Sequence, residues 1–151
     1  MLPLLRAALL AVALVWPGAV LGQSPQQTAA SWGLMGTWTF DCSAPPAEDN
    51  ITYKYVRRNN QLFLDRDYGG TMQDSNTITS LRVVASDQIE YLVSFGSTQP
   101  PSTRYHRWLK HPDGRRIRVF TNRNVATGEV VIDNGKFTAS GAESGWFTRC
   151  R

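Results

Sequence analysis

The chain has two cysteines, Cys42 and Cys150, and nearly all of its patterned sequence lies between them. Joining a pair this distant forces the first and last patterned segments to be neighbours. In the chain-entropy account, closing a loop of about 100 residues stabilises a fold by roughly 4–5 kcal/mol, less any strain. Two cysteines allow one pairing, and an even count in an exported chain favours a bridge. A redox or metal role would call for a Cys-x-x-Cys spacing or nearby histidines, and neither occurs.

Export is read from the N-terminus. Arg6 precedes the apolar run Ala7–Val15 (AALLAVALV), Pro17-Gly18 breaks it, and Val20-Leu21-Gly22 precedes an expected cut at Gln23. The run is far short of the roughly 20 apolar residues that cross a bilayer. A lipid anchor would need a cysteine after the cut, where Gln23 stands. The sequence therefore predicts a signal peptide over 1–22, a flexible polar leader over 23–33 and a single domain over 34–151. The compartment expected is the periplasm or the medium, with no membrane span after cleavage.

Between the cysteines, period-two alternation recurs between strong turn signals. A first strand is expected over Met35–Cys42, with Trp38, Phe40 and Cys42 on one face. Ile51–Arg57 and Leu62–Asp67 form a hairpin over Asn59-Asn60, residues that tolerate positive φ. Its register sets Lys54 against Asp65, Tyr55 against Leu64 and Val56 against Phe63, each a sensible pair. Thr77–Ala85 and Gln88–Phe95 follow, with Ile78, Arg82, Val84, Ile89, Tyr91, Val93 and Phe95 assigned to one face. Thr103–Lys110 and Arg115–Asn122 flank His111-Pro112-Asp113-Gly114-Arg115, a turn with Gly114 in a left-handed bulge. Asn134-Gly135 marks a last hairpin, with Asp133 beside Lys136 and Ile132 beside Phe137. Gly145–Cys150 closes the chain. The fold class is all-β, a small antiparallel barrel of eight to ten strands closed by one disulfide. In a plain ten-strand meander the cysteines would sit at opposite rims. A bridge then requires strands running the same way, a different strand count, or a terminal segment crossing a rim.

The whole chain carries a formal charge of +4, concentrated in one stretch. Arg104, Arg107, Lys110, Arg115, Arg116, Arg118 and Arg123 are opposed there only by Asp113. With Lys110 set against Arg116, one face would read Arg104, His106, Trp108, Lys110, Arg116, Arg118 and Phe120. That basic and aromatic face is a candidate for an anionic partner, weighed against a merely solvated surface. Its reverse, with Tyr105, Arg107, Leu109, Ile117 and Val119, would face the core, where Arg107 and Arg82 each need a carboxylate or carbonyls.

Enzyme signatures are mostly absent from the sequence. His106 and His111 fit no zinc spacing, and Gly141–Gly145 (GAESG) does not place Ser144 as a nucleophile elbow would. Asp65 and Asp67 share a face beside the Gly69-Gly70 turn, where acidic residues are usually solvated. Asn50-Ile51-Thr52 is a glycosylation sequon. No nucleic-acid recognition motif occurs. No metal, cofactor or catalytic residue is expected.

Gly36-Thr37-Trp38 resembles the Gly-x-Trp opening of lipocalin-like barrels. That resemblance implies that Trp38 plugs the closed end of a barrel and that Arg149 or Arg151 stacks on it. The Gly-x-Trp strand with a cysteine close behind is similar to exported inhibitors of metalloproteases. A cysteine near the first strand with another at the C-terminus is similar to small β-barrel inhibitors of lysozyme. The tail Trp146–Arg151 also resembles uncharacterised exported proteobacterial proteins. The function expected is binding without catalysis. One form is a carrier holding a small apolar or amphipathic ligand among Tyr53, Tyr55, Tyr91, Phe95 and Tyr105. The alternative is an inhibitor or adaptor for an exported protein such as a lysozyme or metalloprotease. The protein is expected to be a monomer.

Overall fold

The computed structural model describes residues 22–151, so the expected signal peptide, apart from Gly22, lies outside the described residues. The first element is a helix, α1 (Pro25–Trp32). This corrects the expected flexible leader. Ser24 caps the helix, the Gln27 side chain reaches back to the Ser24 amide, Pro25 opens it, and Gly33 ends it in the left-handed region at φ 87°. The signal Ser-Pro-x-Gln was present in the sequence, but the helix buries only Ala29 and Trp32, too few for a visible period.

Seven strands then pair in order: β1 (Gly36–Thr39), β2 (Thr52–Arg58), β3 (Gln61–Asp67), β4 (Gln73–Ala85), β5 (Gln88–Phe95), β6 (Ser102–Lys110) and β7 (Arg116–Asn124). A short hairpin, β8 (Val130–Asp133) and β9 (Lys136–Phe137), hangs from the far half of β7. The last strand, β10 (Phe147–Arg149), returns to pair with both β7 and β1. Eight antiparallel strands therefore close into a barrel, with β8 and β9 outside the ring. Closure leaves few unpaired edges.

The β2–β3 hairpin has the expected register, and Asn59 and Asn60 stand at φ 46° and 62°. The last hairpin also matches, with Asp133 opposite Lys136 across Asn134-Gly135. Three hairpin turns and α1 gather at one end of the barrel, where Gln26 bonds the Asn60 carbonyl and Lys110 the Trp32 carbonyl. Loops 40–51, 68–72, 96–101 and 125–129 form the other end.

The disulfide joins Cys42 and Cys150, whose Cα atoms lie 5.5 Å apart. β1 and β10 are antiparallel neighbours, with Trp38 opposite Arg149. The apparent conflict disappears because β1 ends at Thr39, earlier than expected, and Cys42 lies outside the strand. The chain turns back so that the Cys42 sulfur comes to 3.9 Å from the Thr148 carbonyl. Asn50 holds that turn. Its side chain accepts from Thr39 Oγ1 (2.8 Å) and the Asp41 amide (2.9 Å), and donates to the Asp41, Ala44 and Pro45 carbonyls. The sequon asparagine is thus a buried fastener of the loop.

Two registers differ from expectation. A β-bulge between Ile78 and Ser80 moves later β4 residues to the opposite face. Ile78 stays buried, while Arg82 and Val84 are exposed rather than core-facing. In the β6–β7 hairpin Lys110 sits opposite Ile117, not Arg116, and a further shift follows between Arg107 and Trp108. A one-residue slip exchanges the faces of a strand.

Candidate functional site

That slip takes apart the expected basic and aromatic face. His106 and Trp108 point into the barrel and are buried, alongside Ile117 and Val119. Arg104 bonds Asn122 at 3.2 Å and lies 3.6 Å from Glu129. Lys110 ends over the Trp32 ring at 4.0 Å. Arg116 and Arg118 instead flank Trp146, at 6.0 and 4.7 Å from its ring, with Asp113 and Glu143 as their carboxylates. Phe120 is only half-buried.

Four of the expected ligand residues line the interior: Tyr53, Tyr55, Tyr91 and Phe95. Tyr105 lies across the wall, bonded to Glu90. Inside, the Tyr91 hydroxyl is the hub. It lies 2.7 Å from the Tyr55 hydroxyl, accepts from Trp108 Nε1 at 2.8 Å and approaches His106 Nδ1 at 3.4 Å. Tyr53 stacks on Phe147 at 4.9 Å and meets the Trp108 edge at 5.8 Å. Burial pushes the Tyr53, Tyr55 and Tyr91 hydroxyls well above the usual phenol range. It also pushes His106 down to about 3, aided by the Arg66 and Arg104 charges, so this histidine is neutral at pH 7. Deeper toward the loop end the interior turns polar. Arg66 pairs with Asp74 and lies 4.1 Å over Phe95, and Ser97 bonds Asp74 at 3.0 Å.

Trp38 and Arg149, the pair that the resemblance implies, lie beside each other. Trp38 is buried and donates Nε1–H to the Leu34 carbonyl at 2.8 Å. Arg149 lies 5.7 Å over its ring and bonds the Met35 carbonyl at 2.9 Å, while Arg151 is exposed.

The outer wall of β4–β7 carries a cluster absent from the expected face. Cross-strand pairing sets Arg82 beside Glu90, Glu90 beside Arg107, Leu92 beside Tyr105, and Tyr105 beside Arg123. Glu90 is buried beneath Arg82, Arg107 and the Tyr105 hydroxyl. Its burial raises the carboxyl pKa, but the hydrogen bonds from Tyr105, Arg107 and Arg82 outweigh that and hold it below the usual range. Arg82 and Arg107 thus find the carboxylate they required, on the outside. A groove of ≈ 280 Å³ opens here between Leu81, Arg82, Leu92 and Tyr105. The missed signal was Glu90 itself, spaced in register with both arginines once the bulge is placed.

Other chemistry-bearing groups have structural partners. Ser144 is buried and donates to the Val119 carbonyl at 2.7 Å. Asp65 is held by Arg58 and Ser75. Among the described residues no cluster of His, Cys, Asp and Glu is placed to hold a metal, and no helix is long and apolar enough to cross a membrane.

Comparison with protein-family models, curated proteins and solved structures finds no match. The functional reading therefore comes from the geometry.

Proposed function

We propose that this is an exported, non-enzymatic binding protein of lipocalin-like build that works from its outer surface, as an adaptor or inhibitor of another exported protein. The observation that carries this reading is the Tyr55–Tyr91–Trp108 hydrogen-bond network at the heart of the barrel. Side chains that would line a ligand chamber are bonded to one another and packed ring against ring. Admitting an apolar ligand would break these bonds and leave buried hydroxyls unpaired, at about 1–3 kcal/mol each. The closed ring and the Trp38–Arg149 stack support the lipocalin-like build. The disulfide fits an oxidising, exported setting. The non-enzymatic part of this reading draws on Ser144, which is buried and bonded to the Val119 carbonyl.

The test is a thermal-shift survey with lipophilic probes such as fatty acids and retinoids. The reading expects Tm to stay unchanged within error. A saturable rise in Tm, lost on filling the interior further by Val93→Phe, would replace it with the carrier reading.

A further inference from the structure

We infer that the outer wall of β4–β7 is a docking surface for an acidic protein face, with Arg82, Arg107 and Arg123 as its carboxylate receivers. This rests on the surface-binding reading above and names the surface and the chemistry of the partner. The wall is contiguous. Arg82, Glu90 and Arg107 form one cross-strand row, Leu92, Tyr105 and Arg123 the next, and Leu109 with Arg118 a third. The arginines exceed the carboxylates that hold them. Arg82 and Arg107 share the single Glu90, and Arg123 has the Tyr105 ring at 5.2 Å. Arg118, at the margin of the wall, is covered by the Trp146 ring at 4.7 Å and lies 3.4 Å from Glu143.

Glu90 is an internal demonstration of what the wall accepts. A carboxylate placed there takes hydrogen bonds from two guanidinium groups and a phenol at once. Planar guanidinium forks suit carboxylates, and the Tyr105 ring contacts two of them, those of Arg107 and Arg123. The half-buried Leu92, Tyr105 and Leu109 between the arginines favour a protein face over a uniformly charged polymer. Arginine and tyrosine beside apolar area is the composition of protein interfaces. A second copy could offer its own acidic loop at Asp41, Glu48 and Asp49, but wall-to-loop contact is head-to-tail and does not close into a dimer.

Fluorescent poly-L-glutamate serves as the carboxylate probe, followed by anisotropy at low ionic strength. The double variant Arg82→Gln, Arg123→Gln alters two exposed side chains, so the fold is retained, with the melting curve as check. It is expected to weaken binding by at least about 5-fold, and added salt should weaken the wild type. The control Lys54→Gln, Arg57→Gln removes the same charge from exposed positions on β2, away from this wall, and should change affinity by less than about 2-fold. Equal losses in both variants, or no binding by the wild type, would overturn the inference. Binding of a sulfated polysaccharide but not poly-L-glutamate would overturn it in favour of a glycan. Salt-sensitive self-association in sedimentation would overturn it in favour of a second copy. None of these outcomes involves the lipophilic-probe survey, so the two readings fail separately.

Discussion

The two faces of β5 and β6 handle buried polar groups in opposite ways. On the inner face, Tyr91, His106 and Trp108 form a neutral network centred on the Tyr91 hydroxyl, with His106 Nε2 left buried and unpartnered. On the outer face, one residue along each strand, Glu90, Tyr105 and Arg107 form a charged network with Arg82. The inner network helps fix the barrel's shape, because neutral partners lose little on leaving water where their bonds are made, as between Tyr55, Tyr91 and Trp108. The outer network keeps more positive charge than it neutralises, and unneutralised charge remains available to a partner. Structure inside and the recognition proposed for the outside are thus separated by the thickness of a single sheet.

The contrast would break first at Trp108. Trp108→Ala should lower stability by about 3–5 kcal/mol in denaturant unfolding, since it removes a fully buried ring and a bond to Tyr91. A cost near that of a surface change would mean that the interior is not packed as described.

Acid should expose the inner face next. His106 is held near pKa about 3 against an ordinary 6.5. The unfolded chain therefore binds a proton below pH 6.5 that the folded chain refuses until about pH 3. The stability contribution is complete above pH 6.5 and falls by about 1.4 kcal/mol for each pH unit below it. Melts between pH 6.5 and 4.5 measure this before the carboxylates titrate, and His106→Gln should flatten the slope.

A smaller effect separates the hydroxyl from the ring. Tyr91→Phe keeps the packing but strands the Tyr55 hydroxyl and Trp108 Nε1, which should cost about 1–3 kcal/mol by chemical denaturation. Arg82→Ala completes the series. Its side chain is 75% exposed, so stability should change by no more than about 0.5 kcal/mol, while binding of the acidic probe weakens. A large loss of stability here would make the outer cluster structural and erase the distinction between the faces.

Local chemistry was readable wherever it was complete within a few residues. Asn59-Asn60 and Asn134-Gly135 determine their hairpin registers because positive φ and a two-residue loop leave little choice. The helix was written in Ser24, Pro25 and Gln27, but its two buried residues gave no period to detect. The basic face was misplaced because Pro112-Asp113-Gly114 admits more than one loop length. Alternation is blind to a bulge, since an inserted residue leaves the pattern looking regular while exchanging in for out.

By itself, then, the sequence determined an all-β chain of hairpins and the Cys42–Cys150 pairing, because these depend on composition and on turns that are local. Only the tertiary structure decided that β10 closes the ring between β7 and β1, and that Trp108 faces inward and Arg107 outward. Barrel closure and strand register are settled by the simultaneous packing of all eight strands, and no single segment carries that information.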